Sequence, residues 1–190
     1  MNATTHAAAD ERRVIEQTHH WVERAVIGLN LCPFAKAAQV RGLVRYAVSD
    51  ARTEEALQDD LTRELQRLAA ADPSEVETTL LVHPHVLQDF LAFNDFLDVA
   101  DEAVRSLGLE GVLQVASFHP DYQFAGTRAD EIENWTNRSP YPTLHLLRED
   151  SIARAVESMP DTDAIYRANI QTLRRLGHEG WARWMDGDAQ

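Results

Sequence analysis

Apolar positions along the chain fall into two periods that alternate from segment to segment. Over residues 10–29, Val14, Trp21, Val22, Ala25, Val26 and Leu29 recur at helical spacing while charged residues fill the other face, which predicts an amphipathic helix. Gly28 and Asn30 suit its C-terminal end, because both tolerate the left-handed conformation that closes a helix. Pro33 then has a favoured place at the first position of a short helix through Ala38, which makes Cys32 the N-cap. Residues 43–48 alternate and are rich in β-formers, so they predict a strand. Thr53 caps a following helix whose first turn carries Glu54 and Glu55 and whose Leu57, Leu61, Leu65 and Leu68 form one stripe; it ends near Asp72-Pro73.

The same alternation continues. A second strand over 76–82 runs into His83-Pro84-His85, and a helix over 86–107 places Phe90, Phe93, Leu97, Ala100, Val104 and Leu107 on one face before Gly108. A third strand over 112–118 runs into His119-Pro120. Residues 121–142 form a loop, and a loop of that length inside a compact domain is functional or disordered. Tyr122, Phe124, Trp135 and Tyr141 argue for packing. A fourth strand occupies 143–147. In it His145 shares a face with Thr143 and Leu147, while Leu144, Leu146 and Arg148 point the other way. Helices over 151–159 and 163–176 follow, the latter capped by Asp161 or Thr162, and Trp181 and Trp184 dock the first part of the tail.

This order predicts an α/β fold, with α+β as the alternative: a four-stranded mixed sheet, its first three strands parallel, packed with five or six helices. Residues 1–10 are expected to be a disordered tail and 11–185 a single globular domain. Strand-helix-strand crossovers are right-handed in nearly all parallel pairs. Three parallel strands would put His83, His85 and His119 at one edge of the sheet, where ligands bind in open α/β folds. The fourth strand can join in either direction, and a split ferredoxin-like sandwich is the competing layout.

Composition narrows the function classes. A chain of 190 residues with 44% hydrophobic content fits one domain, which at this size buries about 70% of its unfolded surface. With 31 acidic against 18 basic residues the net charge is −13, a surface that repels phosphate backbones and argues against nucleic acid as a partner. One cysteine excludes an intramolecular disulfide and the multi-thiolate zinc motifs, so a reducing compartment, the cytoplasm, is expected. The first ten residues lack the basic start and apolar core of a secretory signal. No apolar run approaches the roughly 20 residues of a membrane span, so no membrane association is expected.

Several residues can carry chemistry. At a helix N-terminus Cys32 would feel unsatisfied backbone N–H groups that favour the thiolate, a nucleophile; the bland alternative is a buried small hydrophobe. His119, at a strand end, is a candidate general base with Asp121 as its electrostatic partner and Tyr122 as a donor. His83, His85 and His119 are an alternative metal set, though their spacing is unspecific. Arg138, with Asn137 and Ser139, could grip an anion through its fork of donors, or could pin its own loop to backbone carbonyls; Arg128 and Arg148 are secondary candidates. His145 is a buried, hydrogen-bonded histidine or a further site residue. The reading that joins these residues is a small-molecule enzyme, acting by group transfer or hydrolysis on an anionic substrate through Cys32, His119 and Arg138. The alternatives are a non-catalytic metabolite- or protein-binding domain and a histidine-based metal-dependent hydrolase. No cofactor is identified: a Cys-Pro pair can ligate haem iron, but no haem pocket is recognisable.

Three motifs are shared with a known family. Residues 28–35 (Gly-Leu-Asn-Leu-Cys-Pro-Phe-Ala), 119–124 (His-Pro-Asp-Tyr-Gln-Phe) and 137–149, from Asn137-Arg138-Ser139-Pro140 to Arg148-Glu149, resemble the bacterial family called domain of unknown function 1415. The likeness spans nearly the whole chain. It implies a single-domain bacterial protein and carries no activity and no site assignments.

Overall fold

The computed structural model describes residues 3–158 and 162–187. Among these are six α-helices and four strands: α1 (Ala3–Trp21), α2 (Ala35–Val40), β1 (Val44–Val48), α3 (Glu54–Ala70), β2 (Thr78–Val82), α4 (Phe90–Ser106), β3 (Leu113–Phe118), β4 (Thr143–Arg148), α5 (Glu149–Ser158) and α6 (Thr162–Asp186). The chain is therefore mixed α/β with a four-stranded mixed sheet. Among the described residues no helix is long and apolar enough to cross a membrane. Residues 3–10, expected to be tail, stand as the first turns of α1, and Met1 and Asn2 lie outside the described residues. So do Met159 and Asp161, the expected helix end and one of the two expected caps.

The sheet order is β1-β2-β4-β3. Only β1 and β2 form a parallel pair; β4 is antiparallel to both β2 and β3. The expectation that the first three strands pair in parallel is thus corrected, and the order also differs from the ferredoxin-like alternative. The connection through α4 leaves one strand's width between β2 and β3, and β4 fills it. Because β4 is antiparallel to both, β3 still runs in the same direction as β2, so the His83 and His119 ends remain on one edge.

Period-two alternation sorts the strand residues onto two faces. Ala47, Leu81, Leu113, Leu144 and Leu146 join Leu57, Leu61, Leu65 and Leu68 of α3 and Phe93, Phe96 and Ala100 of α4 in the main core. The N-caps here are made by side chains: Thr53 Oγ1 accepts from Ala56 N (3.2 Å) and Asp89 Oδ1 from Ala92 N (3.0 Å). On the opposite face Trp21, Val22 and Ala25 pack on Leu80, with Val44, Tyr46, Phe118, Trp181 and Met185 around them.

The segment between α1 and α2 shapes that second face. After Trp21 the helix widens into a π-helical turn, Val22–Ile27. Asn30 is left-handed as expected (φ 54°), but Gly28 is right-handed (φ −64°). Glycine is needed there for space: an added Cβ would sit 3.1 Å from both Glu23 O and the Trp184 ring, and closer still to Arg24 O. α6 is broken at Gly177 (φ 65°, ψ 177°), so its first part ends at residue 176 as expected, and the helical stretch beyond the kink brings Trp184 back onto α1. Trp184 Nε1 donates to Arg24 O (2.7 Å), and the Arg24 guanidinium lies 4.8 Å from the Trp184 ring centre.

Candidate functional site

The first turn of α2 does not begin where the sequence places it. Pro33 and Phe34 lie in a turn, the helix starts at Ala35, and Phe34 is its N-cap with no side-chain bond. Cys32 is therefore not an N-cap, and a six-residue helix offers it little dipole. Instead Cys32 sits in the loop, its N–H donating to Val26 O of the π-helical turn (3.3 Å). Its half-buried side chain lines a cavity of about 380 Å³.

That cavity lies over the second face of the sheet. Paired rows of residues form its floor: Leu80, His145 and Ala116 across β2, β4 and β3, and Val44, Thr78, Leu147 and Gln114 across all four strands. Its walls are Trp21, Val22 and Val26 on one side, Cys32, Phe34, Ala35 and Ala38 on another, and Ile152, Ala155 and Val156 of α5 on a third. The space exists because Thr78, Ala116, Ala35, Ala38 and Ala155 are too small to meet across it. Apolar lining with a few convergent polar groups is the ordinary character of a ligand pocket, for which volumes of about 300–1,000 Å³ are typical.

His145 is the polar centre of the floor. Its Nε2 lies 2.8 Å from Thr78 Oγ1, and that hydroxyl also lies 2.7 Å from Leu146 O. The register places Thr78 diagonally next to His145, opposite Leu147. Burial pushes the imidazole down to about 4 from its ordinary 6.5, so it is neutral near pH 7. The ring is enclosed by protein yet still faces the cavity. Arg148 borders the same space, but its guanidinium is committed to the carbonyls of Leu68 (2.7 Å), Ala71 (2.8 Å) and Val76 (3.1 Å).

The remaining expected site residues lie elsewhere. His119 has no exposed surface and does not line this cavity, so the structure does not bring it to Cys32. Its Nδ1 accepts from Asp121 N (3.0 Å), which leaves Nε2 to donate to Leu87 O (3.2 Å), and Phe90 and Phe93 flank the ring. Burial lowers its pKa, which opposes the role of a charged switch. Asp121 orients His119 through its backbone N–H, and its carboxylate favours the charged imidazole against the larger effect of burial. Tyr122 packs its ring against Phe90 and Phe124, and Asn137 Nδ2 donates to Ser117 O (3.4 Å).

Arg138 pins its loop. Nε donates to Tyr122 O (3.2 Å), Nη2 to Ala129 O (2.7 Å), and the guanidinium stacks 3.8 Å from the Trp135 ring centre. It borders a different cleft, about 710 Å³ between α1, this loop and α6, with Arg13, Gln17 and Tyr141. Arg128 is exposed and pairs with Asp130 and Glu131. Among the histidines, His83 donates through Nδ1 to Val86 O (3.1 Å) and is wholly buried, whereas His85 is exposed. Among the described residues no group of three His, Cys, Asp or Glu could hold a metal ion.

Thr78, Ala116 and the α5 residues were not singled out by sequence, and Trp21 only as part of an apolar helix face. The one signal for them was the alternation that set His145 apart from Leu144 and Leu146. The chain belongs to the family described as protein of unknown function (DUF1415), whose model matches residues 13–183. No curated protein and no solved structure matches it.

Proposed function

We propose that this family member binds a small, mainly apolar molecule in the cavity over the second sheet face. The observation that carries this reading is the composition of the cavity: aliphatic and aromatic walls around one neutral imidazole, with the nearby Arg148 already engaged by backbone carbonyls. Such a lining favours transfer of apolar surface out of water, and with Glu77 at its border and Arg148 engaged it gives an anion no free cation to repay its desolvation. An anionic substrate, expected from Arg138, would have to use the other cleft. A lone thiol without a disulfide partner fits the cytoplasm, and the net charge of −13 speaks against nucleic acid.

Cys32 provides its own reporter, because it is the only thiol and sits in the cavity wall. Saturating naphthalene should slow alkylation of Cys32 by N-ethylmaleimide severalfold and raise the melting temperature. Ala116→Leu, which fills the floor, should weaken both effects. Unchanged alkylation and unchanged melting in wild-type protein would dispose of the cavity as a binding site.

A second reading, a hydrolase or acyl-transfer enzyme, draws on one observation: Cys32 and His145 line the same cavity. In that scheme Sγ bonds to the acyl carbon of an apolar ester, the alkoxide or phenolate leaves, and the thiol proton passes to solvent. With p-nitrophenyl butyrate the wild-type chain would release a burst of one p-nitrophenolate and carry a butyryl group on Cys32 by mass spectrometry. No burst and no added mass would end the catalytic reading and leave the binding one intact.

A further inference from the structure

The hydrogen-bond pattern at the cavity floor specifies more than an apolar ligand. A hydroxyl has one proton to give, and Thr78 Oγ1 contacts two groups at hydrogen-bonding distance: Leu146 O (2.7 Å) and His145 Nε2 (2.8 Å). Leu146 O can only accept, so the Thr78 proton goes there. The Thr78 oxygen must then accept from His145, which places the imidazole proton on Nε2. In a neutral ring the other nitrogen is then a bare acceptor, and among the described residues Nδ1 of His145 has no hydrogen-bond partner. Phe118, whose ring centre lies 5.9 Å from that of His145, and the strand partners Leu80 and Ala116 carry no side-chain donor, and Gln114 on the same floor makes no hydrogen bond to the ring.

We infer that the occupant of this cavity is a neutral alcohol or phenol with an apolar body, whose hydroxyl donates a hydrogen bond to His145 Nδ1. The inference rests on the binding reading above and adds the ligand's head group. An acceptor without a partner in an apolar surround favours a molecule that brings a proton and disfavours one that brings only lone pairs. A carboxylate meets the same lone pair with negative charge, and the guanidinium that borders the cavity, that of Arg148, is held by the carbonyls of Leu68, Ala71 and Val76. The two protein groups, Thr78 and His145, are fixed by strand pairing, so the tautomer is set before any ligand arrives.

Calorimetry with three probes of one size tests this: 2-naphthol, 2-methoxynaphthalene and 2-naphthoate, at pH 7. The wild-type protein should bind 2-naphthol about tenfold more tightly than 2-methoxynaphthalene, and 2-naphthoate more weakly than either. His145→Phe should keep binding but lose the preference for the hydroxyl. Equal affinity for naphthol and its methyl ether, or tightest binding of the naphthoate, would overturn the head-group assignment while leaving the cavity as a binding site. Failure to bind any of the three would remove the binding reading along with it. Should His145→Phe not fold, nitrogen-15 spectra of wild-type protein decide the point. They should show an unprotonated Nδ1 whose resonance moves with 2-naphthol and stays with 2-methoxynaphthalene; a proton found on Nδ1 in the free protein overturns the assignment.

Discussion

His83 and His145 are both held at about 4, against an ordinary value of 6.5, because burial penalises the charged imidazole. The sign of the consequence follows from proton counting. Between these values the unfolded chain binds protons that the folded chain refuses, so stability rises with pH across the window. It is fully present above about 6.5 and lost as pH falls toward 4. Each pH unit is worth about 1.4 kcal/mol per group, so each histidine can withdraw on the order of 3 kcal/mol at the acid end. Urea denaturation at pH 7 and pH 5 should show His145→Gln losing less stability on acidification than wild type. An identical acid loss in the two proteins would show that His145 is not buried in the neutral form. The comparison between variants matters because carboxylates such as Glu133, lowered mainly by a backbone hydrogen bond and also by Arg174, lose stability in acid as well.

Between elements, Arg148 at the end of β4 joins three segments of the chain. Its guanidinium donates to Leu68 O and Ala71 O at the C-terminus of α3, and to Val76 O in the segment entering β2. Helix C-termini leave carbonyls without intrahelical partners, and a buried cation there satisfies them and complements the dipole. The arginine considered for an anion site is thus a clasp joining helix, loop and strand. Arg148→Met should cost about 2–3 kcal/mol, since the carbonyls would stay buried without donors. Arg148→Lys should recover only part of that, having a point charge in place of a planar fork. Equilibrium unfolding in urea measures both, and wild-type stability in Arg148→Met would contradict the clasp. A similar lesson applies to Cys32 and Arg138. Cys32 was read from its neighbours as a thiolate at a helix N-terminus, which an element boundary overturns; Arg138 was read as an anion grip or as a pin for its own loop, and its contacts are those of the pin. The helix beginning at Ala35 rather than Pro33 removes the dipole from Cys32, and the carbonyls of Tyr122 and Ala129 occupy Arg138.

For the molecule as a whole, the two sheet faces are covered unequally, and that inequality makes the cavity. One face is sealed by the leucine stripe of α3 and the aromatic residues of α4. The other is covered by α1, its π-helical continuation, the returning end of α6 and the short α5, which meet around small side chains without closing. Much of this was legible from residue order alone. Helical and strand periods are local signals, so the caps at Thr53, the leucine stripe, the four strands and the separation of His145 from Leu144 and Leu146 could all be read from spacing. Residue order thus sets most of the elements and the way their side chains face, though not the π-helical turn or the helical stretch after Gly177. That β4 enters between β2 and β3 was settled by the three-dimensional packing, which sets Thr78 beside His145 and puts that imidazole, not His119, on the cavity that Cys32 lines. Strand pairing and loop closure join residues tens of positions apart through contacts that leave no periodic trace along the chain, so the partner of each candidate group had to await the fold.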